Sequence, residues 1–200
     1  MRVQDRVPQA RLYKVWAIPQ YGTAEGNRLI LAAEALATGK SSRLHKRLVH
    51  DAQLATEVHA WADLREIAGQ FGVAITVRPG VPLAEAERTA DEEIARLLRQ
   101  GPTRGELERI RARFEADFIR QRERISGKAD ILIRDLLFTG DAAYHEKRMR
   151  EWRETTPRQV AETARAWLSD GAFILEIEPF PAYRAAAAGA DRSALPLPSA

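Results

Sequence analysis

The stretch Thr56-Glu-Val-His-Ala-Trp-Ala-Asp-Leu64, rejoined after a short connection by Phe71-Gly-Val-Ala-Ile-Thr-Val-Arg78, decides the fold. Thr56, Val58, Ala60, Ala62 and Leu64 alternate with Glu57, His59, Trp61 and Asp63. A period of two belongs to a strand with one covered face. Phe71, Val73, Ile75 and Val77 supply the matching inward set. The connection between them carries Gly69 near its end, so the two strands are expected to pair as an antiparallel hairpin, closed by Pro79-Gly80.

Upstream, Arg11 to Ile18 reads as a further strand, with Tyr13, Val15 and Ala17 on one face and Leu12, Trp16 and Ile18 on the other. Apolar residues on both faces predict a strand covered on both sides, or nearly so. A helix is expected from Thr23 to Ala37, with Leu29, Ala32, Ala33 and Leu36 at helical spacing, and a short one from Ser42 to Val49 capped by the serine pair.

Downstream the pattern turns helical. Leu83, Ala86, Ala90, Ile94 and Leu97 form a stripe closed by Gly101. Thr103 with Glu106 is a capping box that opens a long helix with Leu107, Ile110, Phe114 and Phe118 inward. Gly127 is expected to interrupt it before the apolar cluster Ile131, Leu132, Ile133, Leu136 and Leu137. A charged helix spans Tyr144 to Arg153, with His145 on its polar face. Thr156-Pro-Arg-Gln159 starts another, with the stripe Val160, Ala164 and Trp167. A last strand, Ala172 to Glu178, alternates Phe173, Leu175 and Ile177 with polar partners.

The order β-α-α-β-β-α-α-α-α-β predicts an α+β fold, a two-layer sandwich with helices on one face of a largely antiparallel sheet of about four to six strands. The folded part is placed at 1–181 and a Pro/Ala-rich linker at 182–200.

Composition narrows the chemistry. The chain has 200 residues, 45% apolar and 30% charged, with no cysteine, which excludes thiol nucleophiles, disulfides and thiolate metal sites. Net charge is +3, but the 31 Lys and Arg are interleaved with 28 Asp and Glu, as in Glu106-Leu-Glu-Arg109. A phosphate-binding face needs basic clusters free of acidic neighbours, so no nucleic-acid partner is expected. No stretch approaches the roughly 18 apolar residues of a membrane span. Met1 to Gln20 holds no unbroken apolar run of the signal-peptide kind.

The four histidines, His45, His50, His59 and His145, form neither H-E-x-x-H nor H-x-x-E-H, so no metal site is expected in this chain. Gly39-Lys-Ser41 ends like a phosphate loop, but Glu34 stands where that loop needs its first glycine.

The run from Gly39 to Val58 (GKSSRLHKRLVHDAQLATEV) resembles the pitrilysin/insulinase-type zinc peptidases. Gly101-Pro-Thr-Arg-Gly-Glu-Leu-Glu108, Gly127-Lys-Ala-Asp130, Phe138-Thr-Gly-Asp141, Thr156-Pro-Arg-Gln-Val160 and Phe173-Ile-Leu-Glu-Ile-Glu-Pro-Phe-Pro181 extend the match in order. The resemblance implies a non-catalytic domain, the second in a longer chain, whose partner is a homologous zinc-binding peptidase domain in the same or another chain. Zinc, the H-x-x-E-H helix and peptide hydrolysis then belong to that partner, and peptides are the substrates. Family members of this kind place an Arg and a downstream Tyr across the chamber, and Val49 and Thr56 hold those positions here, so that auxiliary role is expected to be lost. His59, Trp61 and Asp63 are the candidate substrate-binding residues, on a hairpin that in some relatives anchors a peptide by strand addition. The compartment stays open, with an exported or periplasmic parent implied. Two other classes remain: a scaffold domain of a degenerate homologue without proteolytic role, and an unrelated nucleic-acid or small-ligand module.

Overall fold

The computed structural model describes residues 1–180. Strands β1 (Arg2–Asp5), β2 (Arg11–Ile18), β3 (Ala55–Leu64), β4 (Gly69–Val77) and β5 (Phe173–Pro179) form one sheet in the order β1-β5-β2-β4-β3. Every pairing is antiparallel except that of β1 with β5. Helices α1 (Ala24–Ala37), α2 (Leu83–Gln100), α3 (Arg104–Arg122), α4 (Ile125–Thr139), α5 (Tyr144–Glu154) and α6 (Pro157–Leu168) make the second layer. This is the expected α+β sandwich. The 182–200 segment read as a linker lies outside the described residues.

The register lines up the core. Trp16 stands opposite Phe71 and Leu12 opposite Ile75, and the Trp16 and Phe71 rings meet edge to face at 5.9 Å. Against that face pack Leu29 and Leu36 of α1, Leu97 of α2, and Val160 and Ala164 of α6, all fully buried. Burying each of the larger side chains is worth about 2 kcal/mol. Both capping boxes form: Thr103 Oγ1 accepts from the Glu106 N–H at 3.2 Å and Glu106 Oε2 from the Thr103 N–H at 2.6 Å. Thr156 and Gln159 do the same.

Several expectations need correction. Among the described residues β2 is covered by helices on one face only, and Tyr13 and Val15 on the other are half-buried beside their cross-strand neighbours. On the covered face Lys14 is buried, held by Asp91 at 2.6 Å and Glu87 at 2.9 Å. Thr56 does not point inward: a bulge between Ala55 and Glu57 turns Ala55 into the core and leaves Thr56 exposed. Ser42 caps no helix; its hydroxyl donates to the Gly39 carbonyl, and the chain then winds as a wide π-helical segment, His45–Asp51, with the Ala52 N–H bonded to the Arg47 carbonyl. The α3–α4 break falls at Glu123-Arg124, not at Gly127. Gly127 sits in the first turn of α4, where a Cβ would stand 2.1 Å from the Gln121 carbonyl oxygen. Trp167 is exposed, and Leu168 is buried instead.

Candidate functional site

Among the described residues β3 pairs only with β4, and its other edge has no strand partner there. His59, Trp61 and Asp63 lie opposite Ala74, Gly72 and Gln70, on the sheet face away from the helices. Trp61 is half-buried because Gly72 leaves room for its ring: a Cβ at Gly72 would stand 2.0 Å from Trp61 Cζ2. His59 Nε2 lies 2.8 Å from Glu57, and Arg65 Nη2 lies 2.7 Å from Asp63. Both pairs are well exposed and contribute little to stability. The three candidate residues therefore share one face beside one free edge.

Val49 ends far from any polar role, packed partly buried against the core. The single hydroxyl proton of Thr56 has two acceptors within reach, Gln9 Oε1 at 3.2 Å and the Thr76 carbonyl at 3.3 Å. Neither presents a hydrogen-bond donor to solvent of the length that an Arg or Tyr would give.

The histidines are scattered. His50 faces Asp51, His59 faces Glu57, His45 has a buried Nδ1 without a partner, and His145 Nδ1 lies 2.8 Å from Asp135. Among the described residues no group of three His, Cys, Asp or Glu is assembled that could hold a metal ion. The residues present do not fit a catalytic zinc, and no chemical step runs through one here.

The structure also builds a polar cluster that the sequence pattern conceals. His145, expected on a polar face, is buried, and so is Asp135 on α4. Asp135 accepts from the Tyr21 hydroxyl at 2.6 Å, from the His145 backbone N–H at 2.7 Å and from His145 Nδ1 at 2.8 Å. Because a carboxylate only accepts, the proton of His145 is assigned to Nδ1. Arg148 Nη1 donates to the Tyr21 hydroxyl and lies 3.8 Å from Asp135. Its guanidinium sits over the rings of Tyr21, Trp152 and Tyr144 at 5.4, 5.3 and 6.0 Å. Burial, reinforced by the bond to Asp135, pushes the Tyr21 pKa up to about 12. The one signal in the sequence was a carboxylate set among five apolar residues of α4.

Beside this cluster runs a groove of about 580 Å³ between the end of β3 (Ala62 to Arg65), α4 (Asp130, Ile133, Arg134, Leu137) and α5 (Arg148, Trp152). Ile133 and Leu137 are 62% and 65% exposed, so the apolar cluster of α4 is not core.

A family model described as the peptidase M16 inactive domain matches residues 1–114. The chain belongs to this family. By that description the M16 domain is an inactive domain of a peptidase. Its fold is shared with a protease from Helicobacter pylori at TM-score 0.83 and 20% identity, covering 90% of this chain and 43% of that one. It is shared with the inactive peptidase domain of a protein assigned as a zinc protease in Bordetella parapertussis, at TM-score 0.77 and 19% identity, covering 94% and 99%. A chain of complex III2 from Candida albicans, solved with Inz-5 bound, has the fold at TM-score 0.74 and 12% identity, covering 88% and 45%. At these identities the likeness is one of fold, and the M16 domain spans less than half of the Helicobacter and Candida chains. No curated protein matches the chain. No helix among the described residues is long and apolar enough to cross a membrane.

Proposed function

We propose that this M16 domain forms part of the wall of a peptide-enclosing chamber in a zinc metallopeptidase and packs against a homologous zinc-bearing domain, in the same chain or a partner chain. The free edge of β3, with His59, Trp61 and Asp63 displayed beside it, is the observation that carries this reading. An unpaired edge takes an extended peptide through backbone hydrogen bonds whatever its sequence, and the alternating side chains add selectivity. Val49 and Thr56 leave stabilisation of the oxyanion to the zinc-bearing domain, where the metal polarises the carbonyl and activates water.

The test combines the purified chain with the H-x-x-E-H domain of its parent and follows cleavage of a fluorogenic peptide. Cleavage is expected only in the combination, with KM raised about tenfold by the His59→Ala/Trp61→Ala pair, a loss of roughly 1.4 kcal/mol in binding. A parent with no H-x-x-E-H anywhere would replace this reading with the scaffold one, which the fold likeness to the complex III2 chain favours as the second choice.

A further inference from the structure

We infer that α4 is a hinged flap: it lifts off Tyr21, His145 and Arg148 as one unit while the sheet, α1, α2 and α6 stay closed, and so gates the groove at the end of β3. Three features carry this. First, α4 has a single latch. Among the described residues, every side-chain hydrogen bond or ion pair that it makes beyond its adjoining turns passes through Asp135, to Tyr21, His145 and Arg148. The Phe138 ring adds an edge-to-face contact with Tyr21 at 5.4 Å. The helices packed beside α4 are α3 and α5.

Second, opening uncovers little apolar surface. Leu132, Ile133, Leu136 and Leu137 are exposed already, and the inward face is centred on Asp135. These four apolar side chains stand in water before and after the helix lifts. The carboxylate that lets go is rehydrated, so its bonds are exchanged for bonds to water. Segments with few buried apolar groups open at a free energy below that of global unfolding.

Third, both ends of α4 are short joints. Arg124, between α3 and α4, has extended backbone, and the N–H groups of Glu123 and Arg124 reach their carbonyls only at 3.3 and 3.4 Å. Gly140 closes the helix at a φ of 73°, where a Cβ would meet nothing within 4 Å, so the backbone there has room to turn. Asp130, Ile133, Arg134 and Leu137 of α4 stand in the wall of the groove, so movement of the helix sets its width. The inference needs neither the β3 edge nor a zinc-bearing domain.

The experiment is native-state hydrogen exchange on the whole unmodified chain in low urea, followed amide by amide. The inner amides of α4 are expected to share one opening, about a hundredfold more frequent than that of α1 and β4. Exchange of α4 in step with α1, or protection graded from its ends with no shared opening, would overturn the inference. A staple tests the gate. A Cβ at Gly22 would stand 3.9 Å from the Thr139 Cβ, within disulfide reach, and the chain has no cysteine of its own. In Gly22→Cys/Thr139→Cys, oxidation is expected to slow both α4 exchange and the carbethoxylation of His145 by diethyl pyrocarbonate about tenfold, and reduction to restore them. Any strain at position 22 is common to the two forms, and equal rates in both would overturn the gate. The measurement on the unmodified chain decides between flap and fixed helix even if the double variant fails to fold.

Discussion

Asp135 on α4 accepts a hydrogen bond from the hydroxyl of Tyr21 at 2.6 Å, and it is the one buried residue of that helix. Helices are usually held by an apolar stripe, but α4 buries fully only a carboxylate, which also gathers His145, with Phe138 set edge to face on Tyr21 at 5.4 Å beside it. Replacing Asp135 by Ala leaves Tyr21 and His145 without their common acceptor and removes the carboxylate 3.8 Å from Arg148. The expected loss is about 3 kcal/mol in urea unfolding, with amide exchange in α4 accelerated more than in α1. Equal acceleration in both helices would show that α4 is anchored by other means.

Tyr21 gives the same cluster an alkaline signature. Its pKa is raised from 10.0 to about 12 by burial and by Asp135. The folded state thus holds the phenolic proton more tightly, so this contribution is intact below pH 10 and is lost as pH climbs towards 12. Tyr21→Phe should therefore be less stable at neutral pH by about 1–2 kcal/mol, yet lose less on going from pH 10 to 12. Phenolate absorbance and denaturation at stepped pH measure both.

Glu106 works at the opposite end of the scale. Burial disfavours its charge, but the hydrogen bond from Arg43 and the N–H of Thr103 outweigh burial and hold its pKa below 4.5. Stability from this pair is present above 4.5 and disappears as pH falls through the lowered value. Glu106→Gln should cost about 2 kcal/mol at neutral pH and less in acid, since Arg43 Nε and Nη2 lose charged partners at 2.9 and 2.8 Å. A constant difference across the acid range would refute the assignment.

Trp61 and Gly72 predict a coupling. Gly72→Ala places a methyl where the indole stands, and a melting-temperature drop equivalent to about 2 kcal/mol is expected. With Trp61→Ala already present, the same change should cost much less, and a double-mutant cycle reads the difference.

The isolated chain should bind zinc no tighter than micromolar in equilibrium dialysis and cleave no peptide. His50, His59 and His145 are paired with separate carboxylates and His45 lies alone, so no two of them share a ligand set. Zinc-dependent proteolysis by purified material of this sequence would contradict that.

Where the controlling forces are local, the sequence was readable. The alternation of Val58 to Leu64 and Phe71 to Val77, and the caps at Thr103 and Thr156, need only neighbours in the chain. β1 was invisible because Arg-Val-Gln-Asp has no period of its own and becomes a strand only beside β5. The bulge at Ala55 shifted the face assigned to Thr56 by one residue, and alternation alone carries no mark of such a shift. Alternation led to the hairpin and its outward residues, and the resemblance made them substrate-binding candidates, but the polar cluster depends on Tyr21, Asp135 and Arg148 meeting from distant segments. A lone aspartate on a helix ordinarily faces water, and nothing nearby in sequence says otherwise.

The parallel strand pair has a consequence for how the molecule is made. The Glu176 N–H donates to the Met1 carbonyl at 2.9 Å, and Val3 sits beside Ile177. During synthesis β1 emerges long before any strand exists for it to join, and one side of β2 must wait as well. Assembly of that half of the sheet is therefore deferred until nearly all the described chain has left the ribosome, with two sheet edges exposed meanwhile to wrong partners.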